Sequence, residues 1–330
     1  MEGISLPPEL YRPISEQIDS TDKQTLCALV LASRTWYQES IHWLYHTIQY
    51  IDLLDIVDPL LLFLQLIADS PRHARYVRSF SIRLRGSLSY HKASVPLARS
   101  LSNMSNLETL ECLGSIRPQY AFALAKTWYF PSLRSFKWML LESWRDVPIF
   151  VERHPHLREL TLRGWRYAQD RKLDKSLLPN LEVVKGGWGG IMAVLNEDRR
   201  SIWRVEINLL STKMVEGGPY KTVKSLTVGG PVKICVLAMT FPLLEELEMR
   251  LIISERLEED MQSLVKALRL KTISFGGWLD DDIEHPQADR ERFVKNLFLI
   301  SESLIKVEIN QILQGECDVY HRNLLLEESG

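Results

Sequence analysis

What this sequence lacks narrows its chemistry. Cysteine is scarce: of 330 residues only Cys27, Cys112, Cys235 and Cys317 carry a thiol, and no two form a CxxC pair. That scatter argues against a disulfide scaffold or a cysteine-built zinc module, and it suits a reducing compartment. Charge of one sign is also missing. The formal net charge is −2, so no global field draws the chain to nucleic acid or to an anionic membrane. Long apolar runs are absent as well. The longest, LLLFLQLIA at 60–68, is about half of the ~20 residues that span a bilayer. The opening MEGISLPPEL has neither the basic start nor the apolar core of a secretory signal. These gaps lead to the expectation of a soluble protein of the cytoplasm, the nucleus or both, with no membrane and no nucleic acid among its partners.

Catalytic signatures are equally thin. HWLYH at 42–46 has the i, i+4 histidine spacing of a zinc-protease helix, but Trp43 stands where the general-base glutamate belongs. KGGWGG at 185–190 is glycine-rich, yet it fits neither GxGxxG nor the P-loop. The acidic runs EED (258–260) and DDD (280–282) read as solvated carboxylates on or before helices, where the dipole favours them. No Ser, Cys or Lys sits in a recognisable nucleophile motif. The reading is therefore of no catalytic residue, no metal and no cofactor.

What is present is a repeat. The stretch HPHLRELTLRGW (154–165) opens with two histidines, but without them it leaves the frame Leu157-x-x-Leu160-x-Leu162. The frame recurs from Val77, Leu107, Leu133, Leu181, Ile202, Val223, Leu244, Leu270 and Leu304. Successive anchors lie 21 to 34 residues apart. Several share a lead-in, FPSL at 130, HPHL at 154, LPNL at 178 and FPLL at 241, so His154 fills a slot taken elsewhere by Phe or Leu. His154 and His156 thus read as repeat positions and not as ligands. Alternating apolar residues make a short strand with one face inward. Such a unit cannot bury its apolar edge alone, so units stack and share a core. The segments GPVKICVLAMT, ERLEEDMQSLVKALRL and PQADRERFVKNLFLISESL carry helical spacing between strands. The links after Leu162 and Ile207 leave room only for a turn or a brief helix.

This pattern resembles the leucine-rich repeat family over about 70–312, in a degenerate form without the regular asparagine ladder, although Asn208 and Asn310 follow two strands. The resemblance implies an α/β fold: a curved solenoid with a parallel sheet on its concave face.

The first 50 residues read differently. Pro8 and Glu9 suit a helix start, followed by Leu10, Ile14 and Ile18 at i, i+4 and i+8. A second apolar helix is expected from about Lys23 to Ala32. Ser33 can cap a third that carries Trp36, Ile41, Trp43, Leu44 and Ile48. Pro13 should kink the first helix or delay its start. Leu6-Pro7-x-Glu9-Leu10, the apolar Ile14 and Ile18, and Ser33-Arg34-Thr35-Trp36 in this order resemble the F-box. Ala32 departs from the usual Val.

The sequence accordingly divides into an F-box-like all-α three-helix module at 1–50, a connecting helix and N-terminal cap at 51–75, an irregular repeat solenoid at 76–312, and a C-terminal cap or tail at 313–330. The resemblance implies a non-catalytic substrate receptor of an SCF-type ubiquitin ligase. Leu6, Pro7, Leu10, Ile14, Ile18, Leu29 and Trp36 would bind a Skp-type adaptor, and a cullin through it. A target protein, unidentified by the sequence, would be held by the repeats, with Arg163, Trp165, Lys185, Trp188, Arg204, Arg250 and Trp278 as candidate contacts. A small ligand filling a pocket on the concave face is one alternative; the other is a leucine-rich-repeat scaffold outside any ligase, whose N-terminal helices merely cap the repeats. In that case Leu6, Pro7, Leu10 and Ile14 should be buried.

Overall fold

A computed structural model of the chain describes residues 6–51, 58–84, 87–114, 128–138, 147–162, 173–174, 176–195, 201–209, 218–229, 234–253, 255–278, 286–310 and 317–327. The fold is α/β, with strands that pair in parallel except at the last. The chain forms two compact units, Met1–Glu159 and Leu160–Gly330.

The first unit begins with α1 (Pro8–Gln17), α2 (Lys23–Ala32) and α3 (Arg34–His46). Helix α1 starts at Pro8, where the sequence suits a helix start, so Pro13 does not delay it, and the helix runs through Pro13. The carbonyl that Pro13 deprives of a donor belongs to Glu9, which is exposed, so water can take the donor's place. Asp22 caps α2 by accepting from the Thr25 N–H at 3.1 Å, and Ser33 caps α3 by accepting from the Trp36 N–H at 3.2 Å. The third helix stops at His46, two residues short of Ile48. Residues Thr47–Ile51 form β1, which pairs in parallel with β2 (Ser79–Leu84) from Thr47↔Ser79 to Ile51↔Arg83. The β-branched and aromatic residues of TIQYI favour this extended form. Between these strands lie α4 (Asp58–Asp69) and α5 (Pro71–Ala74), where one connecting helix was expected. The unit continues through α6 (Ser87–Asn103), β3 (Thr109–Gly114), β4 (Ser135–Trp138) and α7 (Val147–Glu152). Strand β5 (Glu159–Leu162) straddles the division between the units.

The second unit contains β6 (Val183–Gly187), α8 (Trp188–Leu195), β7 (Arg204–Leu209), β8 (Ser225–Val228), α9 (Ile234–Thr240), β9 (Glu246–Ile253), α10 (Glu255–Ala267), β10 (Thr272–Trp278), α11 (Pro286–Ile300) and β11 (Lys306–Asn310). It closes with β12 (Cys317–His321), antiparallel to β11, and α12 (Arg322–Glu327). The three helical links read from the sequence are α9, α10 and α11. In α10 and the residue just after it the buried positions Met261, Leu264, Val265 and Leu268 follow the 3, 4, 7 spacing of one helix face, while Glu259, Asp260 and Lys266 are exposed. Most of the short links after Leu162 and Ile207, at 163–172 and 210–217, and the DDD run lie outside the described residues.

Each of the ten frames falls on a strand, β2 to β11, and register stacks the frame positions into columns. In the first unit Phe80, Leu110 and Phe136 are neighbours, as are Ile82 and Cys112. In the second, one column runs Val184, Val205, Leu226, Leu247, Ile273 and Val307. Its companion runs Gly186, Ile207, Val228, Met249, Phe275 and Ile309. These side chains are buried, each contributing about 1.5–3 kcal/mol relative to exposure. Gly186 is the exception with a reason. Its φ is 149°, and a Cβ there would lie 2.1 Å from the Leu162 carbonyl oxygen. Only glycine fits.

A backbone ladder takes the place of the missing asparagines. In several repeats the carbonyl of the residue after the anchor accepts two N–H groups from the next repeat: Trp203 from Lys224 and Ser225, Lys224 from Glu245 and Glu246, Glu245 from Lys271 and Thr272. In the first unit Arg78 and Glu108 accept in the same way. Asn310 adds one side-chain rung, its Nδ2 donating to the Phe275 carbonyl at 3.1 Å.

Candidate protein-interaction surfaces

The N-terminal helices hold together on little. Among the described residues Leu26 and Ile41 are their buried apolar side chains. Tyr11 and Trp36 meet edge to face at 4.5 Å, and the hydroxyls of Ser15 and Ser40 share a buried hydrogen bond of 2.8 Å. The Lys23 ammonium donates to the Leu44 carbonyl at 2.7 Å, and burial lowers its pKa. Much of the remaining apolar surface faces outward. On α1 Leu10 is 44% exposed and Ile14 37%, beside the exposed Pro7. On α2 Leu31 is 84% exposed. Leu6, Ile18, Leu29 and Trp36 are half-buried, Trp36 through its contact with Tyr11. Sequence reasoning missed Leu31 and the exposed Tyr37. The segment KQTLCALVLA is apolar around most of its circumference, so no periodic signal separates its inner side from its outer.

The second candidate surface is the open face of β6–β11, made by the residues that alternate with the buried frame. An ion-pair network ties four of them: Lys185 lies 3.9 Å from Glu206, and Arg250 reaches Glu206 at 3.1 Å and Glu248 at 2.8 Å. Glu206 is only 7% exposed, a placement tolerable because both cations neutralise it. Thr227 donates to Glu248 at 3.0 Å. Burial pushes the Glu248 pKa up, but the hydrogen bonds from Arg250 and Thr227 outweigh it, and the net shift is downward. The hydrogen bond to Glu248 raises the pKa of Arg250 in turn. On β11 Lys306 pairs with Glu308 at 2.6 Å. The equivalent face of the first unit carries Lys137 and Glu111, 2.5 Å apart.

The sequence-derived target contacts fare unevenly. Lys185, Arg204 and Arg250 lie on this face, with Lys185 and Arg250 engaged as above. Trp188 does not. It is 3% exposed at the start of α8, its ring edge-on to Phe241, so as a surface contact it is a correction. The chain turns into α8 directly after β6, which folds Trp188 inward. Arg163 and Trp165 lie outside the described residues, as does the side chain of Trp278. Among the described residues of this unit the exposed tryptophan is one the sequence reading passed over, Trp203, just after an anchor.

The histidines of the opening motif also find their places. His154 is buried, its Nε2 accepting from the Phe130 N–H at 3.0 Å and its Nδ1 donating to the Phe150 carbonyl at 2.7 Å. An acceptor at Nε2 and a donor at Nδ1 define the neutral tautomer, and burial lowers the pKa. Both nitrogens are spent on the repeat. Among the described residues no three His, Cys, Asp or Glu side chains group as metal ligands, and no helix is long and apolar enough to cross a membrane. No protein-family model matches the chain, and no curated protein matches it.

Proposed function

We propose that this chain is a non-catalytic substrate receptor: its three N-terminal helices dock on a Skp-type adaptor, and through it a cullin, while the strand repeats, a leucine-rich solenoid in this reading, hold a target protein for ubiquitin transfer. The observation that carries the reading is the outward display of Pro7, Leu10, Ile14 and Leu31 on helices with so small a core of their own. Exposed apolar residues gathered on one module mark an interaction site. The receptor's contribution to the reaction is effective concentration, since it holds a target near the ubiquitin donor without supplying a reacting group.

A second reading, a repeat scaffold whose helices are a cap, is favoured by one feature: α3 runs directly into β1, the first strand to pair with the repeats. A pull-down from reducing lysate separates the two. Wild type is compared with a Leu6→Ala, Pro7→Ala, Ile14→Ala variant, both shown folded by circular dichroism. Retention of a Skp-type adaptor and cullin by wild type alone supports the receptor; a folded wild type that retains neither is a capped scaffold.

A further inference from the structure

The open face of the second unit carries its charges in two rows of different character. One row, with Lys185, Glu206 and Glu248, is closed by ion pairs within it and with Arg250 one pleat later on β9. The row one pleat earlier is not. There the register sets Arg204 on β7, Ser225 on β8 and Glu246 on β9 side by side. Among the described residues neither Arg204 nor Glu246 has an ion-pair partner, and the Arg204 Nε is buried with no acceptor. Glu248, an acid that feels the Arg204 charge, is already held by Arg250 and Thr227. Between the two walls the floor is low. Ser225 and Thr227 are buried although they sit on the open face, and their side chains are short beside those of Arg204, Glu246 and Glu248 on the flanking strands.

We propose that this trough, with Arg204 on one wall and Glu246 on the other, binds a protein segment that crosses the strands and presents a carboxylate to Arg204 and a cationic side chain to Glu246. The proposal rests on the half of the proposed function in which the strand face holds a target, and is independent of adaptor docking. Charge complementarity selects the occupant. A wholly acidic segment meets Glu246, a wholly basic one meets Arg204, and only a dipolar one satisfies both. A carboxylate also gives the buried Arg204 nitrogen the acceptor it lacks. The walls are two strand spacings apart, ~9.6 Å, and an extended segment rises ~3.3 Å per residue with every second side chain on one face, so its acid and base stand about two to four residues apart on that face.

A random short-peptide display library selected on the full chain tests this. Wild type should enrich peptides with an acid and a base at that spacing in one order, and the charge-swapped Arg204→Glu, Glu246→Arg chain should enrich the opposite order. If the swap fails to fold, Arg204→Gln and Glu246→Gln replace it. Each should weaken the selected peptide about tenfold and relax selection at one end only. An order unchanged by the swap, a motif without the charge pair, single variants that bind like wild type, or no enrichment by a folded wild type overturns the proposal. An adaptor pull-down on the same preparations keeps the readings apart. A lost adaptor with an inverting motif sinks only the ligase reading, and a retained adaptor with no motif sinks only the trough.

Discussion

Helices α1–α3 and strands β6–β11 are built from similar apolar residues but spend them differently. Each strand sends its frame residues into columns that neighbouring repeats complete, so the core of β8 is made by β7 and β9 as much as by β8 itself. The three helices share the small core of Leu26 and Ile41 and leave Leu10, Ile14 and Leu31 facing out. A region whose apolar residues are consumed by its neighbours is committed to stability. A region that keeps them exposed carries surface that only a partner can cover.

The contrast predicts a gradient of mutational effects. The largest falls at Gly186. Gly186→Val places a side chain against the Leu162 carbonyl and should cost more than about 4 kcal/mol, leaving little folded protein by urea denaturation. Next comes the column itself. Leu226→Ala removes a fully buried side chain between Val205 and Leu247 and should cost about 2–5 kcal/mol in the same assay. A cost under about 1 kcal/mol at Leu226 would break the comparison.

His154 gives an intermediate effect with a pH signature. Because burial depresses its folded-state pKa, its contribution to stability is fully present above the ordinary value of about 6.5 and is lost as pH falls from there through the folded pKa. His42, His46 and His73 are also lowered by burial and add slope of the same sign. The measurable quantity is therefore a difference. His154→Phe, which installs the residue used in that slot by other repeats, should flatten part of the acid-side decline. It should also cost about 1–3 kcal/mol at neutral pH by leaving the Phe130 N–H unpaired. An unchanged decline between wild type and variant would show that His154 does not titrate in this way.

The smallest effect on folding belongs to the displayed helix residues. Leu31→Ser should change stability by no more than about 0.5 kcal/mol. A cost like that of Leu226→Ala would mean that the module's apolar surface is structural after all.

The repeat was legible in the sequence because its signal is periodic. Ten frames at recurring spacing located ten strands, and the Phe or Leu slot before the anchor correctly absorbed His154. Three features were hidden for physical reasons. Strand β1 follows α3 without a break, and Trp43, Leu44 and Ile48 continue a helical spacing, so only pairing with β2 ends the helix at His46. The outward aspect of Leu31 is set by how α2 packs, and an all-round apolar helix does not encode that in its own pattern. The open-face residues Lys185, Arg204 and Arg250 were visible as cations. Which of them an acid would neutralise depends on neighbours across strands, and that singled out Arg204 only once the register was known.

The most direct test of the central claim is a titration of the full-length chain with a purified Skp-type adaptor, set beside a Leu10→Ser, Ile14→Ser, Leu31→Ser variant of matched thermal stability. Saturable binding by wild type, lost by the variant, is the predicted result. Equal binding by both chains, or none by a folded wild type, would contradict the account.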